Sequence, residues 1–360
     1  MKKVLRIICA VLLIVLFAVV TVIGYLTVDE YKPADIEDIT IEGKAGDAIS
    51  LNQENKIMSW NIGYGALGDN ADFFMDGGRM VYTADKARVE ENISAIASQI
   101  EDINPDILLL QEVDINSSRS YFTDEFATLI KKVNSDVARY QNAFAYNFKV
   151  AFVPLPIPPI GKANAGIGYM SAYETASAKR YTLPCPFSWP LRTFNLKRCL
   201  QVMRLPVDGS DKELVLINLH LEAYDEGEGK IAQTNMLRDI MQKEADAGNY
   251  VIVAGDFNQT FSTTDISAFP FLEGKWEAGT IDTSNFGNDF DFYADSSAPT
   301  CRSLDQVLID APDRDPQHFQ YYVIDGFIVS KNVQVSNVHT FDLGFRNSDH
   351  NPVVMSFSLQ

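Results

Sequence analysis

The sequence predicts an α/β domain of alternating strands and helices behind a single membrane-spanning helix. Three observations predict it. Residues 7–28 are 22 consecutive uncharged and mostly aliphatic positions, where about 20 suffice to cross the hydrocarbon core of a bilayer. Downstream, short apolar runs alternate with stretches whose apolar residues recur every three or four positions. One run, Ile107-Leu108-Leu109-Leu110, lacks the alternation of a half-exposed strand and reads as a central strand covered on both faces.

Lys2, Lys3 and Arg6 precede the apolar run, and Asp29 and Glu30 follow it. The positive-inside rule therefore puts the N-terminus in the cytoplasm and the bulk of the chain outside, as a single-pass cell-membrane protein with residues 1–28 as cytoplasmic tip and anchor. A cleaved signal peptide is the competing reading. The run ends Thr21-Val22-Ile23-Gly24-Tyr25-Leu26 without an A-x-A cleavage site, which favours the uncleaved anchor.

The chain carries 30 Lys+Arg against 48 Asp+Glu in 360 residues, a net charge of −18. The first 28 residues hold three of the basic groups and no carboxylate, so the exterior carries −21. With 46% hydrophobic and 11% aromatic residues the chain can bury a core, which excludes disorder and fibrous repeats. A nucleic-acid binder held by a broad basic face is disfavoured by the same charge. An enzyme that meets phosphate in a local, metal-neutralised pocket is not. Cys185, Cys199 and Cys301, the cysteines beyond the anchor, have no metal-type spacing. A Cys185–Cys199 bridge and two free thiols both fit.

Residues 29–54 are acidic and contain Pro33, and read as a tether with one edge strand at Ile39-Thr40-Ile41. One domain follows over 55–360. Lys56-Ile57-Met58-Ser59-Trp60 reads as a strand, and Val89, Ile93, Ile96, Ala97, Ile100 and Ile103 mark a helix that Pro105 stops. After the strand at 107–110, Phe122, Phe126, Leu129, Ile130 and Val133 predict a second helix. Strands are expected at 214–217, 250–253, 322–324 and 353–355, with a helix at 231–247 between the first two. The proline-rich stretches 153–159 and 183–190 cannot be central strand and read as an ordered insertion or rim loop.

The residues at the strand boundaries carry the chemistry. Asn61, Glu112, His220, Asp256 with Asn258, and Asp325 follow five apolar runs, and Ser348-Asp349-His350-Asn351-Pro352 precedes the last strand. Buried carboxylates and amides are costly unless paired or metal-bound, and open α/β sheets bind ligands where strands end. Each residue alone is ordinary turn or strand-end chemistry. Six such sites, each at a strand boundary, suggest one pocket.

In these motifs the chain resembles the endonuclease/exonuclease/phosphatase superfamily, and within it the deoxyribonuclease-like and neutral sphingomyelinase-like branch. The resemblance rests on Ser59-Trp60-Asn61-Ile62, Leu110-Gln111-Glu112-Val113, Asn218-Leu219-His220-Leu221, Gly255-Asp256-Phe257-Asn258, Ile324-Asp325-Gly326-Phe327 and the Ser348 to Pro352 segment. It implies a four-layer sandwich of two packed mixed β-sheets flanked by helices, and a metal-dependent hydrolase of phosphoester bonds, phosphodiesterase or phosphatase. It further implies Mg²⁺, with Mn²⁺ or Ca²⁺ as alternatives, at Glu112 with Asn61 and Asp349 near or on the metal. Asp256 and Asn258 would position water and phosphate, His350 aligned by Asp325 would act as base or phosphoryl donor, and His220 would assist the leaving group. Which histidine is acid and which is base stays open.

Arg346, three residues before Asp349, is expected near the substrate phosphate, and the basic cluster Arg192, Lys197, Arg198 and Arg204 fits either an anionic head group or surface ion pairs. The proline-rich rim with Phe187 and Trp189 fits either a membrane surface or the core. Three functions follow: an extracytoplasmic phosphoesterase acting on phospholipid head groups or other small phosphoesters, a surface nuclease on DNA or RNA that the acidic exterior disfavours, and a non-catalytic surface binding protein on the same fold. The intact set of polar residues argues against the last.

Overall fold

The computed structural model describes residues 2–134, 139–225, 227–309 and 318–360. Met1 of the expected cytoplasmic tip lies outside them, as do residues 135–138, 226 and 310–317 of the expected domain. The apolar run forms α1 (Lys2–Asp29). Next come β1 (Ile36–Asp38), β2 (Ile41–Glu42), β3 (Ile49–Ser50), β4 (Asn55–Asn61), α2 (Lys86–Ile103), β5 (Ile107–Asp114), α3 (Glu125–Val133), β6 (Gln141–Val153) and β7 (Gly161–Ser171). The middle of the chain adds β8 (Ser177–Thr182), β9 (Cys199–Asp208), β10 (Glu213–His220), α4 (Glu228–Asp246), β11 (Tyr250–Asp256), β12 (Gln259–Phe261) and β13 (Gly279–Ile281). It closes with β14 (Phe290–Tyr293), β15 (Cys301–Arg302), β16 (Tyr321–Tyr322), β17 (Asp325–Ser330), β18 (Val333–Thr340) and β19 (Val353–Leu359).

Local chemistry sets the helix ends. The Asp85 side chain accepts the Arg88 N–H at 2.8 Å to cap α2, which ends at Asn104 in the left-handed region just before Pro105. Asp124 caps α3 by accepting the Ala127 N–H at 2.9 Å. Phe122, expected inside that helix, instead lies in the preceding turn with φ 60° and is exposed. A short 3-10 turn at Gly63–Gly65 follows β4.

Two mixed sheets form. One runs β1-β8-β9-β10-β11-β17-β14 with β3 beside β9, the other β18-β19-β4-β5-β7-β6-β2. Alternate residues of β5 split as a doubly covered strand requires. Ile107 and Leu109 enter the core between the sheets with Leu214, Leu216 and Ile252, while Leu108 and Leu110 pack on Ile93, Ile96 and Ile100 of α2. Val215, Ile217, Val251 and Val253 pack on Leu237 and Met241 of α4. The order is helix, sheet, sheet, helix, the four layers expected.

The structure departs from the sequence reading in several places. The expected strand at 322–324 is only the two-residue β16, and Asp325 opens β17 rather than closing a strand. The segment read as a tether lies on the domain, with β1 on β8, β2 on β6 and β3 on β9. β7 begins at the Gly161 to Gly166 segment and is rich in glycine and alanine because the neighbours press close. A Cβ on Gly168 would meet the Phe126 ring at 2.5 Å. Cys185 and Cys199 are free thiols: Cys199 is buried at the start of β9 and Cys185 is exposed. The helix α1 is long and apolar enough to cross a membrane.

Candidate active site

Strand direction gathers the polar residues. β4 runs parallel to β5 and β10 parallel to β11, so Asn61, Gln111 with Glu112, His220 and Asp256 all finish at one end of the sandwich. β17 is antiparallel to β11 and β19 to β4, so Asp325 and the Asp349-His350 pair enter at that same end. Asp256 stands in register with both His220 and Asp325.

Asp256 is the hub. Its Oδ2 accepts from Asn61 Nδ2 at 3.0 Å and lies 3.5 Å from His220 Nε2 and 3.7 Å from His350 Nε2. Its Oδ1 accepts the Asn258 N–H at 2.8 Å, and Asn258 Nδ2 donates to the Leu221 carbonyl at 2.8 Å. His350 Nδ1 lies 2.9 Å from Asp325 Oδ2, while Thr300 Oγ1 accepts the Asp325 N–H at 3.2 Å. Ser348 Oγ donates to the Asn61 carbonyl at 2.8 Å, which ties the last motif to the first.

Glu112 is aimed by a bulge. The β5–β7 register shifts between Leu110 and Val113, and Glu112 adopts φ 53°. A non-glycine residue in that region carries strain of roughly 1–3 kcal/mol that surrounding structure must hold. Glu112 Oε1 lies 3.7 Å from His220 Nε2, and buried Oε2 has no hydrogen-bond partner among the described residues. Burial and then Asp349 push the Glu112 carboxyl up to about 8. Burial also raises Asp349.

The two histidines differ. Burial, with Arg198 and His350 beside it, holds His220 well below the ordinary imidazole value, so it is neutral. Burial also opposes a charge on His350, but Cys301, Asp325 and Asp256 around it raise it well above that value, so it is an imidazolium. Their different surroundings supply one neutral and one charged imidazole in a single cleft.

The donor set fits a hard divalent cation. Glu112 offers an unpartnered buried oxygen, and Asp349 reaches toward the backbone of Gly63, where a Cβ would come within 2.7 Å of Asp349 Oδ1. Among the described residues, Asp256, Asp325 and His350, and likewise Cys301, Asp349 and His350, each bring one ligand atom within 4.8 Å of the others. Glu112 and Asn61 stand outside both triplets. The carboxylates in this set are the hard oxygen ligands a divalent cation takes, whereas a thiol and a charged imidazole are not.

A cavity of about 380 Å³ opens over these residues, with Glu112, His220, Asp256, Asn258, Asp349 and His350 in its wall. Arg346 does not line it. Phe345, at φ 56°, takes the inward position and is buried, leaving the Arg346 side chain exposed while its carbonyl accepts from Asp69 N and Arg88 Nη2. All four residues of the basic cluster form ion pairs, and three of them stay out of the cavity wall: Arg192 and Lys197 pair with Glu30, and Arg204 with Glu213 and Glu244. Arg198 does line the cavity, held by Glu222 at 3.2 Å and by the His220 carbonyl at 3.1 Å.

A family model for the endonuclease/exonuclease/phosphatase family matches residues 58–350. The chain belongs to this family. Members of the endonuclease/exonuclease/phosphatase family are typically phosphoester hydrolases and generally use divalent metals. Among solved structures, an endonuclease/exonuclease/phosphatase from Beutenbergia cavernae DSM 12333 is similar at 20% identity and TM-score 0.57, over 86% of this chain and 72% of that one. The human nocturnin catalytic domain with bound sulfate anion is similar at 18% identity and TM-score 0.50, over 89% and 97%. A family member from Bacteroides vulgatus is similar at 14% identity and TM-score 0.50, over 86% and 100%. No curated protein matches the chain.

Family motifs do not mark every residue in this cleft. Arg119 lines it, bound through two nitrogens to Asp114 at 3.0 and 2.9 Å and stacked 3.2 Å over the Tyr64 ring. Arg302 and Cys301 also line it, on the two-residue β15 beside His350. No periodicity announces so short a strand.

Proposed function

We propose that the protein is a metal-dependent hydrolase of phosphoester bonds, a phosphodiesterase or phosphatase of the deoxyribonuclease-like and neutral sphingomyelinase-like branch. It acts outside the cytoplasm on phospholipid head groups or other small phosphoesters. Residues 1–28 serve as cytoplasmic tip and single-pass anchor in the cell membrane, and residues 55–360 as the catalytic unit. The observation that carries the reading is the convergence of Asn61, Glu112, His220, Asp256, Asp325 and His350 on one end of the sandwich.

Glu112, with Asn61 and Asp349, would hold Mg²⁺, or Mn²⁺ or Ca²⁺ in its place, which when bound supplies charge that polarises a phosphoryl oxygen and stabilises the leaving oxygen. The residues divide the remaining work. Asp325 fixes Nδ1–H of His350, so His350 Nε2–H points a charged donor at the phosphoryl oxygens. Neutral His220 presents Nε2 toward Glu112 and Asp256 and donates to the leaving oxygen as negative charge builds there. Asp256, its second oxygen pinned by the Asn258 N–H, orients the attacking water and accepts its proton, while Asn258 helps seat the phosphate. In-line displacement brings one anion to another, so donors set in place before the reaction account for most of the acceleration.

The test compares Mg²⁺-dependent hydrolysis of bis(p-nitrophenyl) phosphate, a phospholipid and plasmid DNA by the full chain. Glu112→Ala and His350→Ala should each abolish turnover. Unchanged rates in either variant, or full activity in excess chelator, would sink the mechanism. Rapid DNA degradation at physiological salt would replace the lipid or small-ester reading with the nuclease.

A further inference from the structure

The cleft has two chemically different walls. Besides Glu112, His220, Asp256 and His350, the lining includes Val153, Leu155, Ile160, Phe187, Phe194 and Leu196, of which Val153, Ile160, Phe194 and Leu196 pack in one apolar cluster. A small hydrophilic phosphoester has no use for that apolar wall, and a polynucleotide would need a cationic channel there instead.

The apolar wall belongs to the same packed cluster as α1. Leu26, 1% exposed, sits with Phe148, Val153, Ile160, Phe194 and Leu196. Around it Trp189 Nε1 donates to Thr27 Oγ1 at 3.0 Å, and Glu30 binds Lys197 at 3.1 Å and Arg192 at 3.3 Å. The helix that is long enough to cross a membrane therefore leaves the domain beside the apolar residues that line the cleft. Its uncharged residues 7–28 span about 33 Å at 1.5 Å per residue, and they are apolar on every side, which is the pattern of a helix surrounded by lipid.

Beyond that junction the rim exposes large apolar groups. On the loop between β6 and β7 Ile157 is 89% and Leu155 58% exposed, and on the loop between β8 and β9 Trp189 is 54% and Leu191 52% exposed. Pro154, Pro156, Pro158 and Pro159 remove four backbone N–H donors from the first loop. A tip with few donors loses little when it leaves water.

We propose that Leu155, Ile157, Trp189 and Leu191 enter the outer leaflet around the exit of α1, and that the apolar wall takes the hydrocarbon chain of a membrane lipid. The head-group phosphoester of that lipid then lies at the polar end. This rests on the phosphoesterase reading above and names its substrate class as a long-chain lipid phosphoester drawn from the bilayer. Hydrolysis forms a bond between water oxygen and phosphorus, breaks one ester P–O bond, and moves the water proton to the departing alkoxide, giving an alcohol and a phosphate monoester or free phosphate.

The full chain, reconstituted into phosphatidylcholine and phosphatidylglycerol vesicles with Mg²⁺, is assayed on the vesicle lipid, on dihexanoyl analogues below their micellar concentration, and on bis(p-nitrophenyl) phosphate. The long-chain lipid should turn over about tenfold or more faster than the dihexanoyl analogues. In Ile157→Asp/Leu191→Asp, hydrolysis of vesicle lipid should fall about tenfold or more, the scale of withdrawing two apolar side chains from hydrocarbon, with the soluble diester within about twofold of wild type. Equal rates on long and short chains, or a double variant as fast on vesicles as wild type, would overturn the proposal. A variant that loses both activities has lost its fold, and the wild-type chain-length comparison then decides. Metal-dependent cleavage of the diester without lipid hydrolysis overturns this inference alone, whereas no metal-dependent cleavage of any substrate removes the phosphoesterase reading beneath it.

Discussion

His350 Nδ1 lies 2.9 Å from Asp325 Oδ2 with both residues buried, so a carboxylate from the first residue of β17 sets the orientation and charge of an imidazole just before β19. Asp325→Asn keeps the shape and removes the charge. Turnover of a soluble phosphodiester should fall about 10²- to 10⁴-fold, the range for a positioned acid or base. Asp325 helps to hold the His350 pKa up, so its loss lowers that pKa. The alkaline limb of the pH–rate profile should therefore move to lower pH, and a profile displaced to higher pH would contradict the assignment.

Metal binding should be visible in stability without any substrate. Without metal, Glu112 titrates near 8 in the folded chain, chiefly through burial and the Asp349 charge, against 4.5 as its ordinary value. The unfolded chain gives up this proton first, so metal-free stability falls as pH rises from about 4.5 toward 8. A cation at the site relieves that penalty. Differential scanning fluorimetry should find a larger Mg²⁺-induced rise in Tm at pH 8 than at pH 5.5. Glu112→Gln should raise the metal-free Tm at pH 8 and remove most of the Mg²⁺ response.

Gly63 tests the fit around Asp349. It adopts φ 54°, and a Cβ there would lie 2.7 Å from Asp349 Oδ1 and 2.9 Å from Leu67 Cβ. Gly63→Ala should destabilise the domain by about 1–3 kcal/mol and weaken Mg²⁺ activation, as read from urea unfolding and a metal titration of activity.

Arg198 and Arg346 should behave oppositely. Arg198 is buried against Glu222, and removing it leaves that carboxylate without its cation. Breaking a buried pair in this way costs about 3–5 kcal/mol, so Arg198→Ala should lower the urea midpoint sharply. Arg346→Ala, on an exposed side chain, should leave both unfolding and turnover close to wild type.

Much of the site was legible because its signals are local. Asn61, Glu112, His220 and Asp256 each follow an apolar run, and such a run followed by a polar residue can be read without knowing what lies opposite. The two-sided burial of Ile107 to Leu110 was legible for the same reason, since an uninterrupted aliphatic run has no face left for water. β7 was not legible, because close packing selects glycine and alanine there and those residues carry no strand signal. The place of Arg346 was not legible, because nearness in sequence to Asp349 says nothing about direction: its side chain is exposed, next to the left-handed turn at Phe345.

By itself the sequence determined the α/β class, the apolar N-terminal helix and the polar residues beside the strands, all of which follow from periodicity and polarity over a few positions. Only the tertiary structure decided that β17 and β19 enter where β4, β5, β10 and β11 leave, that a bulge turns Glu112 into the cleft, and that Leu26 packs behind the cleft's apolar wall. Those outcomes join residues from about 50 to about 300 positions apart, and strand direction, register and packing are settled by contacts that no short window of sequence contains.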